Sequence, residues 1–150
     1  WIEYICKRFE NTGKHISPEL AEEICRLVDN HSSYVQQLSW LLWIRTINTA
    51  TTEQLSYALE DLLDQNNILF QSETENLSAY QMNFLKAIVD GIHTKFSSKE
   101  VISKYNLGTS ANIVRLKNAL LQKELIETNG KEIVLADPVF GVWFKKEMLY

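Results

Sequence analysis

Arg115, Asn118 and Gln122 are the residues of this sequence best equipped for a chemical task. An arginine can fork onto the O6 and N7 of guanine, and an amide side chain onto adenine, so the trio has the chemistry of base recognition. With Ala111 they form a stripe opposite Ile113, Leu116 and Leu120, which share the buried face of the same predicted helix. Ser110 opens that helix, and Lys117, Lys123 and Lys99 are placed to reach phosphates. Any solvated helix can carry Arg, Asn and Gln, so the surrounding elements have to decide.

Catalytic constellations are absent. His15, His31 and His93 are scattered and show no i, i+4 pair of the kind that holds zinc. Gly13-Lys14 resembles the end of a phosphate-binding loop, but that loop needs Gly where Arg8 stands and Ser or Thr where His15 stands. Glu22-Glu23 and Glu60-Asp61 are adjacent carboxylates that diverge on a helix, and no Gly-x-Ser-x-Gly occurs. We therefore expect no enzyme activity, no metal and no cofactor in this chain. Cys6 and Cys25 lack metal-ligand spacing and read as buried reduced thiols, which points to a cytoplasmic protein. No stretch of roughly 18 apolar residues is available to span a membrane, so no membrane partner is expected.

The elements that position these residues fall into two groups, and the expected fold is mainly α. Ile2, Ile5, Cys6 and Phe9 make a first helical stripe, stopped by Asn11 to Gly13. Ser17 and Pro18 open a second helix through Leu20, Ile24, Leu27 and Val28. A third is predicted from about Ser33 to Asn48, with Trp40 and Trp43 widening its apolar face. Thr51 and Gln54 have capping-box spacing ahead of Leu55, Leu59, Leu62 and Leu63. These four helices predict a bundle over residues 1–72. The polar run Gln71 to Asn76 contains the expected linker, at about 73–76.

From 77 to 150 the order is different. Ser78 and Gln81 form another capping box, and Ser97 with Glu100 caps a short helix. Asn106-Leu107-Gly108 then turns into the helix carrying Arg115, capped by Thr109 or Ser110. Short helix, glycine-containing turn and longer helix is the helix-turn-helix pattern. Asn129-Gly130 between two β-prone runs predicts a hairpin, and Asp137-Pro138 opens a last helix through Phe140, Trp143 and Phe144. Helix-turn-helix plus hairpin is a winged helix.

Charge separates the same halves. Residues 1–76 hold 5 Lys and Arg against 12 Asp and Glu, whereas residues 77–150 hold 10 against 7. The second half is only mildly basic, and Lys131, the one cation of the wing, is flanked by Glu127 and Glu132. Tight duplex binders neutralise about 6–10 phosphates, so this wing speaks against DNA even where the helix favours it. Only 5 glycines occur in 150 residues, too few for a phosphate-cradling fold. The sequence opens on Trp1, and we expect it to be a piece of something longer.

Three stretches carry a family resemblance: His31-Ser-Ser-Tyr-Val-Gln-Gln-Leu38, Leu77-Ser-Ala-Tyr-Gln81 and Asp137-Pro-Val-Phe-Gly-Val-Trp-Phe144. In that order they resemble the C-terminal part of archaeal-type P-loop ATPases of the AAA+/STAND class. The resemblance implies a lid-like bundle followed by a winged helix, with ATP and Mg held by a preceding nucleotide-binding domain that would be this chain's partner. It also implies nucleotide sensing at His31, Ser32 and Ser33, although Ser32 stands where that family usually has Pro. The local alternative is that Ser32 or Ser33 simply caps the third helix. Three functions follow: a non-catalytic coupling module of such an ATPase, a stand-alone DNA-binding regulator, or an adaptor docking through Phe140, Trp143 and Phe144. For those rings we expect core closure rather than docking.

Overall fold

Four segments at the start of the chain meet the conditions for helix, and each is one in the computed structural model, which describes residues 1–149. Helix α1 (Ile2–Glu10) buries Ile5 and Phe9, and the chain leaves it through Gly13 at φ +79°. Helix α2 (Pro18–Leu27) starts where the Ser17 hydroxyl accepts the Leu20 N–H at 3.1 Å. Helix α3 (Ser32–Arg45) buries Val35, Leu38, Leu41 and Leu42. Trp40, expected on the apolar face, is 59% exposed, and the helix stops at Arg45 rather than Asn48. Thr46 turns extended there, and His15 bonds both Asn48 and Ala50 through its backbone, strapping the 46–50 loop to the loop before α2.

Helix α4 (Thr52–Glu75) opens with the expected reciprocal cap: the Thr51 N–H donates to Gln54 Oε1 at 3.1 Å, and the Gln54 N–H donates to Thr51 Oγ1 at 3.2 Å. It then runs much further than its sequence pattern suggested. Residues 73–75, expected to begin a linker, are its last turn. The chain divides into two units, Trp1–Ile68 and Leu69 onward, so the division falls inside this helix. Phe70 and Thr74, one turn apart, are buried and give the polar stretch its inward face. The first unit is the expected helical bundle. Its α4 face contributes Leu55, Ala58, Leu62 and Leu63 to the core. Arg45 forks onto Asp61 at 2.7 and 2.9 Å.

The second unit continues with α5 (Ala79–Val89), α6 (Lys99–Tyr105), α7 (Ser110–Gln122), β1 (Ile126–Asn129), β2 (Glu132–Leu135) and α8 (Pro138–Met148). The Ser78–Gln81 capping box forms in both directions. The short helix is capped by Ser98, one residue later than expected, because Phe96 first turns inward and stacks on Phe84 at 4.6 Å. Tyr105 closes α6 inside the core. Burial, followed by a hydrogen bond with Asp90, pushes its hydroxyl above the usual tyrosine range.

The hairpin pairs Asn129 with Glu132, which leaves Gly130 and Lys131 as the turn in place of Asn129-Gly130. Gly130 takes φ +64° as the first turn residue. The expected register would have set Lys131 opposite Thr128, on the face that buries Ile126 and Ile133. The observed register moves its ammonium into solvent. Asp137 caps α8 by accepting from the Val139 and Phe140 N–H groups at 2.9 and 3.1 Å. Phe140, Trp143 and Phe144 are each about 1% exposed, and Phe70 meets the first two at ring-centroid distances of 5.4 and 5.6 Å. Burial of all three removes them as a docking face. This is a winged-helix architecture, mainly helical with one small antiparallel sheet.

Candidate functional site

The turn between α6 and α7 is fixed from both sides. Asn106 takes the left-handed conformation at φ 54°, and Asn83 on α5 donates to its carbonyl at 3.1 Å. Asn112 on α7 donates to the Leu107 carbonyl at 3.1 Å, while Leu107 itself is fully buried. Gly108 follows at φ +88°, and a Cβ there would sit 3.1 Å from the Asn112 amide and 3.5 Å from the Tyr80 ring. These constraints set the angle at which α7 leaves the turn.

On α7 the inward face is Ile113, Leu116 and Leu120, as the spacing predicted. Ser110, Ala111, Arg115, Asn118 and Gln122 are all exposed, and Lys117 is half-buried. Arg115, Lys117 and Lys131 have no ion-pair partner among the described residues. Val114, not among the residues expected on this face, is 64% exposed between Ala111 and Asn118. Its i, i+4 relation to Asn118 was the available signal. The face therefore combines a small apolar centre with one guanidinium and two amides, which suits base edges and thymine methyl groups more than phosphates.

The wing does not extend that character. In the observed register Glu127 and Asn129 share a strand face with Glu132 and Val134, so two carboxylates lie together on the outer face of the hairpin. Lys131 is confined to the turn. A duplex approached by α7 would meet net negative charge at the wing.

In the first unit, His31, Ser32 and Ser33 lie together at the start of α3 and are exposed. The cap residue is His31 and not a serine. Asp29 and Asn30 both take positive φ to leave α2, and His31 is then the residue that turns extended ahead of the helix. Its ring packs on Tyr34 at 4.8 Å, and the Ser33 hydroxyl accepts from Gln37 Nε2 at 3.0 Å. The first turn of α3 carries no acidic residue. First-turn N–H groups lack intrahelical acceptors, so this end has the chemistry to receive an anion. No group of three His, Cys, Asp or Glu among the described residues is arranged to hold a metal. No described helix is long and apolar enough to cross a membrane.

Residues 68–146, just over half of the chain, match the family described as "Probable winged helix domain". The chain belongs to this winged-helix family. The matched segment opens two residues before Phe70, so it takes in the end of α4 that the sequence pattern had suggested was linker. The winged-helix domain and the bundle together are similar in fold to a solved structure, the Walker-type ATPase PABY2304 of Pyrococcus abyssi. The TM-score is 0.70 over 96% of this chain, at 19% identity. This chain spans 40% of that ATPase's length. Comparison with curated proteins finds no significant match.

Proposed function

We propose that this chain is the non-catalytic coupling module of a Walker-type ATPase, a lid-like bundle joined to a winged helix that contacts nucleic acid or a protein partner. One observation carries the reading: bundle and winged helix, in this order, resemble a 40% portion of a Walker-type ATPase over nearly the whole chain. In this role the exposed N-terminal end of α3, with His31, Ser32 and Ser33, faces the phosphates of ATP held with Mg by a separate nucleotide-binding domain. The AAA+/STAND class fits the three motif stretches, and the two free cysteines, Cys25 buried and Cys6 only partly so where both were expected inside, fit a cytoplasmic setting. Hydrogen exchange on the full-length gene product, with and without ATP, tests this reading. Protection at residues 31–35 on nucleotide addition is expected, and unchanged exchange there rejects the lid role.

A second reading is favoured by the open face of α7: the winged helix is a DNA reader, within an ATPase or as a free regulator. Duplex binding measured at two salt concentrations decides it. Arg115→Ala is expected to weaken specific binding by about 1–3 kcal/mol, the worth of a bidentate base contact. Equal affinity and equal salt slope in the variant rule α7 out as the reader.

A further inference from the structure

We draw no further inference here: the strongest candidate, the exposed apolar stripe of Trp40, Ile44 and Ile47 that runs along the end of α3 into the loop after it, carries nothing because no feature of the structure shows what covers it.

Discussion

Glu73 and Asp137 show how a single residue near the end of α4 senses its surroundings. Partial desolvation, and then the negative charge of Asp137, raise the Glu73 carboxyl above the ordinary glutamate value. A folded-state pKa above the unfolded one favours folding below the unfolded value, near 4.3, and that contribution is lost as pH rises through the folded value. Glu73→Gln removes the charge, so it should raise stability at pH 7 and have little effect at pH 4. The gain should be small because the side chain is largely in solvent. Urea melts of both proteins at the two pH values measure it; an equal difference at both would reject the electrostatic origin. Gly108 makes the opposite kind of demand. Its φ of +88° admits a side chain only with strain, and a Cβ would press on the Asn112 amide that holds the Leu107 carbonyl. Gly108→Ala should therefore cost at least about 1–2 kcal/mol, read as a lower urea midpoint with an unchanged slope.

Capping explains why some elements were plain in the sequence. Ser17-Pro18, Thr51 with Gln54, Ser78 with Gln81 and Asp137-Pro138 each open a helix where expected, because a cap is completed within three or four residues. Ser78→Ala removes one half of a reciprocal pair and should destabilise the winged helix by about 1 kcal/mol. Thermal unfolding followed by circular dichroism measures the loss, and an unchanged melting temperature would show the box to be redundant. Where the deciding partner is distant in sequence, local pattern misled. Asn129-Gly130 carries the hairpin signal, yet the register is pinned by the Ile133 N–H on His93 and the Ala136 N–H on Leu125, and by the cost of turning Lys131 inward. Ser97 has capping-box spacing with Glu100, yet Ser98 caps the helix, because Phe96 turns inward to stack on Phe84. The α7 face was legible because its buried and exposed stripes alternate on one helix.

The division of the molecule turns on Phe70. A boundary placed by charge and polarity falls at 73–76, but nothing between 52 and 90 is Gly or Pro, and a helix without a breaker continues as long as one face is buried. Phe70 provides that face: it is 1% exposed and packs edge-on to Phe140 within the unit that begins at Leu69. Thr74 sits one turn on, 7% exposed, with its hydroxyl returned to the Phe70 carbonyl at 3.2 Å. The winged helix therefore includes the last two turns of α4 as a structural part. A fragment of residues 68–150 should fold cooperatively, whereas one of residues 77–150 loses the Phe70 ring and leaves Phe140 and Trp143 open on one side. That loss should amount to about 3–5 kcal/mol, the cost of deleting a buried phenylalanine, enough to unfold a small domain. Phe70→Ala in the full chain should reproduce most of it. Equal melting temperatures for the two fragments would mean that α4 ends functionally before residue 70.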